Sequence, residues 1–233
     1  MNWHKFPPSR FLFSRLIPKR TKGLYLDRYD FCISPAIARG TYEQEEVRLL
    51  RTIVTPGSIA VDIGANIGFF TNEFLKLGAE VHAFEPASRS FEILRKNAPQ
   101  ARLYRCAISD SFASKELYLN DYNHGDNRLL ERGMDSEPVF TVPLDAFNLS
   151  PHFIKIDTQG SEVKVLRGAR ETIARSHPTL LVEYWPKGLF EQGNSGEELI
   201  SLLEELGYDI RGDISGCSPG NGQFVNLLCV HSP

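Results

Sequence analysis

The sequence contains no run of 18 apolar residues, so it predicts no transmembrane helix. Its basic N-terminus is not followed by an apolar stretch and small residues, which argues against a secretory leader. It has no C-x-x-C pair, no H-x-x-x-H and no clustered Asp triad, so no metal site is predicted. Four cysteines, Cys32, Cys106, Cys217 and Cys229, are scattered through 233 residues. Without a spacing pattern they fit buried thiols in a reducing cytosol better than a disulfide framework. Internal repeats and low-complexity tracts are absent. Excess positive charge is lacking too. Lys5, Arg10, Arg15, Lys19, Arg20 and Lys22 give residues 1–22 a charge of +6 against a formal total of −3, which leaves −9 for the remainder. An acidic body of this kind argues against nucleic acid as a partner.

What is present is ordinary globular composition, 42% hydrophobic and 24% charged, in a length that suits one α/β domain with an arm. The arm is taken as residues 1–40 and the domain as 41–233. Residues 1–22 interleave Trp3, Phe6, Phe11, Phe13 and Ile17 with their basic charges. That mixture suits an anionic membrane surface or an acidic substrate, or an arm that packs its aromatics on the domain. The expected location is cytoplasmic, with peripheral contact at the inner membrane surface through this arm.

Periodicity sets out the domain. Thr41 reads as a helix N-cap completed by Gln44, and "TPG" at 55–57 stops that helix. "SIAVDIG", "EVHAFEP" and "ARLYRCAIS" read as strands separated by helices at 69–77 and 88–97. Residues 110–145 read as a strand, a long polar loop and a second strand ending in "VFTVPLDAF". A strand "HFIKIDTQG", a helix over 161–175, a strand "TLLVEYWP" and a helix over 196–206 follow. "YDIRGDI" and "FVNLLCVH" close the chain as an antiparallel pair. The alternation predicts a doubly wound, mostly parallel sheet with an antiparallel edge strand.

In such a sheet, ligands sit beyond the C-terminal strand ends. The first strand ends at Asp62-Ile63-Gly64 and runs on through Asn66 to Gly68. Gly64 permits a tight turn, and Gly68 lets the next helix approach the sheet. The spacing is G-x-x-x-G, with Asn66 where a pyrophosphate-admitting glycine would stand, which disfavours a dinucleotide. Asp62 repels phosphate but not a cationic aminoacyl-sulfonium group. The second strand ends at Glu85-Pro86, 23 residues after Asp62, where an acid is placed to accept both ribose hydroxyl protons.

With "VDIGANIGFFT", "HAFEP", "AISD", "PLDAF", "FIKIDTQGSEVKVLRGA" and "PTLLVEYWP" in that order, residues 42–188 resemble the FkbM family of S-adenosylmethionine-dependent methyltransferases. The resemblance implies a seven-stranded, Rossmann-like class I methyltransferase fold. It also implies methyl transfer to a hydroxyl on a sugar, glycan or small natural product. The family's cofactor positions map onto Asp62, Gly64, Asn66, Gly68 and Glu85, with Pro86 beside them. Ala107, Ile108 and Asp110 occupy the place where class I enzymes hold adenine. The sequence departs from the family's D-x-E-G in having Gln159 for the glutamate, which puts a metal or base role there in doubt.

The acceptor side is read from the later strand tips. Alternation puts Lys155 and Asp157 on one face. Asp157 is placed to orient or deprotonate a hydroxyl, and Lys155 to pair with it. Glu162 reads as a structural helix-start carboxylate. In the long loop, His124 is a candidate base, and Asp126, Asn127 and Arg128, with Glu183 at the next strand tip, are candidate acceptor contacts. Two other readings stand beside this one: a nicotinamide-dependent oxidoreductase, and a protein that binds S-adenosylmethionine without catalysis.

Overall fold

The computed structural model describes residues 14–129 and 135–232. Residues 1–13, which hold much of the expected membrane-contacting arm, and residues 130–134 of the long loop lie outside them. A two-strand ribbon, β1 (Arg20–Thr21) and β2 (Leu24–Tyr25), precedes helices α1 (Ile33–Arg39) and α2 (Gln44–Ile53). Then come β3 (Ile59–Ile63), α3 (Phe69–Lys76), β4 (Glu80–Phe84), α4 (Ser88–Asn97) and β5 (Arg102–Tyr104). β6 (Ala107–Ile108), β7 (Ala113–Tyr118) and β8 (Ser136–Val142) follow. The chain finishes with β9 (Phe153–Ile156), α5 (Glu162–Arg167), α6 (Arg170–Ser176), β10 (Thr179–Tyr184), α7 (Pro186–Glu191), α8 (Gly196–Glu205), β11 (Tyr208–Arg211) and β12 (Val225–His231).

The main sheet runs β11-β12-β10-β9-β3-β4-β5. β3 pairs in parallel with β4 on one side and β9 on the other, so the strand order reverses between β3 and β9. β12 is antiparallel to both its neighbours. The antiparallel strand expected at the edge therefore sits one place in from it. Period-two alternation sorts the sheet's two faces. Val61, Ile63, Ile154, Ile156, Leu180 and Val182 meet α5, α6 and α8 through Val163, Leu166, Ile173, Leu199 and Leu203. Ala60, Val81, Phe153 and Leu181 meet α2 and α3 through Val47, Leu50, Phe70 and Phe74.

Several local expectations change. "ARLYRCAIS" is two strands in different sheets: β5 joins the main sheet, and β6 joins β8 and β7 in a three-stranded one. "LDAF" at 144–147 is a 3-10 turn, not strand. The 161–175 helix is broken at Gly168, where a Cβ would lie 1.9 Å from the Ser109 carbonyl oxygen. Thr41 caps no helix. Its hydroxyl donates back to the Ala36 carbonyl, and α2 starts after Glu43, a residue at φ 40°. α7 has no counterpart in the sequence reading. All four cysteines are free, with Cys106 and Cys229 buried but Cys32 exposed, against the expectation of buried thiols. Among the described residues ahead of 41, Ile17, Leu24, Leu26 and Ile37 bury themselves with Ile67. Among the described residues no helix is long and apolar enough to cross a membrane.

Candidate active site

A cavity of ≈ 300 Å³ opens at the C-terminal ends of β3, β4, β9 and β10, beside the reversal of strand order. One half is built by the turns after β3 and β4. The backbone N–H groups of Gly64 and Ala65 donate to the Phe84 carbonyl. Gly64 has φ +83°, and a Cβ there would lie 1.8 Å from the Asp157 carbonyl oxygen. Only glycine lets these two turns touch. Asn66, also in the left-handed region at φ 49°, donates its N–H to Glu85 Oε2 at 2.8 Å. Ala87 N–H donates to Glu85 Oε1, also at 2.8 Å. The Asn66 side-chain oxygen is buried in the wall with no hydrogen-bond partner among the described residues. Pro86, Ala107, Ile108 and Leu117 supply an apolar wall beside Glu85.

Burial pushes the Glu85 carboxyl up to about 7, against the opposing pull of the two backbone N–H groups. Its folded-state value is thus above its unfolded one. The stability this group contributes is greatest below the unfolded value and is lost as pH rises through about 7. Glu85→Gln should remove most of that slope, roughly 3 kcal/mol between pH 4.5 and 7.5. Urea unfolding at the two pH values measures it.

The other half carries the charge. Lys155, only 2% exposed, bonds Asp157 Oδ2 at 2.7 Å and lies 4.5 Å from the Phe70 ring centre. Gln159, held at φ 57°, donates its amide to Asp157 Oδ1 at 2.8 Å and to both Glu183 oxygens at 3.0 and 3.2 Å. Glu43 joins the lining from the start of α2, and one of its carboxylate oxygens is buried without a hydrogen-bond partner among the described residues. Burial pushes the Glu43 carboxyl to about 7, with Lys155 opposing and Asp157 adding to the rise. Burial also drives Glu183 well up, and Asp157 and Glu162 reinforce it. Lys155 behaves the opposite way. Burial alone would lower it, but Asp157, Glu43 and Asp62 together hold it above its ordinary value.

The structure brings together Gly64, Asn66, Glu85, Pro86, Ala107, Ile108, His124, Asp126, Asn127, Lys155, Asp157 and Glu183 around this cavity. Four expected site residues are elsewhere. Asp62 is fully buried beneath the floor, where its Oδ2 accepts from the Thr71 hydroxyl at 2.6 Å. Gly68 faces away; its φ is +86°, and a Cβ there would lie 2.6 Å from Leu94 Cδ1, so its bareness sets α3 against α4. Asp110 is exposed and accepts from the Ser109 and Ser111 hydroxyls. Arg128 is buried, bonded to Asp126 and Glu191, with its guanidinium 4.0 Å from the Trp185 ring centre. Glu162 is structural as expected: one oxygen gathers Thr158 N–H, Thr158 O–H and Gly160 N–H. The sequence reading missed Ile33, Tyr42, Glu43, Trp185 and Phe224, which also line the cavity.

Among the described residues no group of three or more His, Cys, Asp or Glu is placed to hold a metal ion. A model of the family described as "Methyltransferase FkbM domain" matches residues 62–210. Over 69 residues the chain is 47% identical to 31-O-demethyl-FK506 methyltransferase FkbM of Streptomyces tacrolimicus. That match covers 27% of this chain and 26% of the relative, so about a quarter of the relative's length. Among solved structures, methyltransferase FkbM of Methylobacillus flagellatus KT superposes with a TM-score of 0.50 at 17% identity. The match covers 95% of this chain but 58% of that one. Magnesium protoporphyrin IX methyltransferase of Synechocystis PCC 6803, solved with bound SAM, gives a TM-score of 0.52 at 11% identity, over 98% of this chain and 99% of that one. At these identities the structures share the fold.

Proposed function

Because the chain belongs to the FkbM methyltransferase family, we propose that it transfers a methyl group from S-adenosylmethionine to a hydroxyl oxygen on a sugar, glycan or other small natural product. The observation that carries this is one cavity with two chemically distinct halves. Glu85, beside an apolar wall of Pro86, Ala107 and Ile108, suits a ribose diol and an adenine. The unpartnered Asn66 oxygen offers a further acceptor for a ligand N–H or O–H. Glu43, Asp157 and Glu183 outnumber Lys155 in the other half, which suits a cationic donor and not a phosphate. When bound, S-adenosylmethionine supplies a methyl group already activated by its positive sulfur.

The chain's own residues then align, exclude water and move a proton. Asp157 has both oxygens engaged, one by Lys155 and one by Gln159, which makes it an orienting group. Gln159 binds the same pair of carboxylates from the position where the family often has a glutamate, and adds no charge of its own. Oxygen as the acceptor atom is supported by the name of the Streptomyces relative, a 31-O-demethyl-FK506 methyltransferase. Family membership sets the nicotinamide reading aside.

Calorimetric titration tests the donor half. S-adenosylmethionine should bind the wild type, and Glu85→Ala should bind it about 30- to 100-fold more weakly through loss of charge-assisted hydrogen bonds. A panel of glycosides and polyhydroxylated compounds, followed by S-adenosylhomocysteine release, tests the acceptor half. Methyl incorporation only into amines, or no turnover of any hydroxyl compound, would overturn it.

A further inference from the structure

Asp27 lies ahead of the segment that matches the family, yet it is fully buried beside the cavity. Arg89, from the first turn of α4, grips it with Nε on Oδ2 at 2.5 Å and Nη2 on Oδ1 at 2.6 Å. Tyr29 N–H donates to Oδ1 at 2.9 Å. The remaining contact is His124 Nδ1, 2.7 Å from Oδ2. Burial alone would push the Asp27 carboxyl up, but the hydrogen bonds and charges of Arg89 and His124 outweigh it and hold the group well below the usual carboxylate range. An ionised carboxylate only accepts hydrogen bonds. The proton between Asp27 and His124 therefore belongs to Nδ1. In the neutral ring that leaves the lone pair on Nε2, which makes no hydrogen bond to any described residue.

The turn that carries His124 is seated as well as oriented. Phe31 N–H donates to the Tyr122 carbonyl at 3.0 Å, and the Asn123 side chain accepts from Gly125 N–H at 3.1 Å. A Cβ on Gly125 would lie 2.1 Å from Ile33, so this turn rests directly on α1. His124 lines the same cavity as Asp157, Lys155 and Glu183. By contrast, Asp157 has both oxygens committed to Lys155 and Gln159.

We propose that Asp27 and His124 form a base dyad, with Asp27 as the positioning residue and His124 Nε2 as the group that takes the acceptor's hydroxyl proton. This rests on the methyltransferase reading above. As the acceptor oxygen bonds to the methyl carbon, the C–S bond breaks and its electron pair returns to sulfur. The O–H bond breaks and its proton passes to Nε2, so that the ring leaves the step as imidazolium beside the Asp27 carboxylate.

Two measurements test it. ¹⁵N NMR of histidine-labelled protein, at a pH where the ring is neutral, should show His124 as the Nδ1–H tautomer, with Asp27→Asn shifting it towards Nε2–H. This reading needs no acceptor, and an Nε2–H tautomer in the wild type overturns the dyad. On the hydroxyl compound turned over fastest in the panel, His124→Gln should lower kcat about 100- to 1,000-fold. Its affinity for S-adenosylmethionine should stay within about threefold of wild type, a split that general loss of structure would not give. Undiminished kcat in His124→Gln overturns the dyad and leaves methyl transfer standing. Failure of the wild type to bind S-adenosylmethionine overturns the methyltransferase reading instead. His124→Gln leaves the buried Asp27–Arg89 pair intact, so the test survives if Asp27→Asn does not fold.

Discussion

Lys155→Met should cost about 3–5 kcal/mol of stability at pH 7.5, because it removes the cation from beneath a cluster of buried acids. The side chain is buried on β9 with Asp157, Glu43 and Asp62 as the charges that hold its proton. Methionine fills much the same volume, so packing loss is small and the charge is what changes. Without it the carboxyls keep their burial penalty and lose their compensation, and they respond by binding protons in the folded state. The sign of the pH dependence follows. Folded-state values rise above unfolded ones, so the variant regains stability as pH falls. Urea unfolding should show the deficit narrowing by roughly 1–2 kcal/mol between pH 7.5 and pH 5. An equal deficit at both values would mean that shape, not charge, is what Lys155 contributes.

Gly64→Ala should be the most damaging of the single-methyl changes. Two costs add. A left-handed φ of +83° costs a side-chain-bearing residue about 1–2 kcal/mol. The added carbon would also lie 1.8 Å from the Asp157 carbonyl oxygen, backbone against backbone, where nothing can swing aside. Overpacking of this kind adds about 1–3 kcal/mol. Gly193 provides the internal comparison, with φ +81° and nothing within 4 Å of a Cβ. Gly193→Ala should show only the first cost and bind S-adenosylmethionine normally. Gly64→Ala should lose about 3–5 kcal/mol and bind it at least about 100-fold more weakly, since β3 and β9 part where the cavity forms. Equal behaviour of the two variants, by thermal unfolding and calorimetry, would remove the contact from the explanation.

The strand tips were legible because they depend on short-range rules. Period-two alternation put Lys155 and Asp157 on one face, and they meet at 2.7 Å. The positions of Gly64 and Glu85 followed from where apolar runs end, and both line the cavity. The same alternation, applied to β3, also explains the failure at Asp62. It shares the face of Ala60 and so points under α3, to Thr71, instead of out at the tip. What was not legible depends on partners far along the chain. Arg128 is taken by Glu191, 63 residues on, and His124 by Asp27, 97 residues back. Glu43 enters the lining only because Thr41 turns back to Ala36 and α2 begins later than its capping sequence suggested. None of these pairings leaves a periodic mark.

The place of β12 has a consequence for synthesis. It follows β11 in the chain, yet it lies inside the sheet, between β10 and β11. Until β12 is in place β11 has no neighbour to join, because it reaches β10 only through β12. A nascent chain halted before Val225 therefore carries the bare backbone edge of β10, rich in Leu180, Leu181 and Val182. Such an edge invites pairing with other chains. Placing β12 is an insertion between β10 and β11, and aggregation should compete with folding most strongly before that insertion is complete.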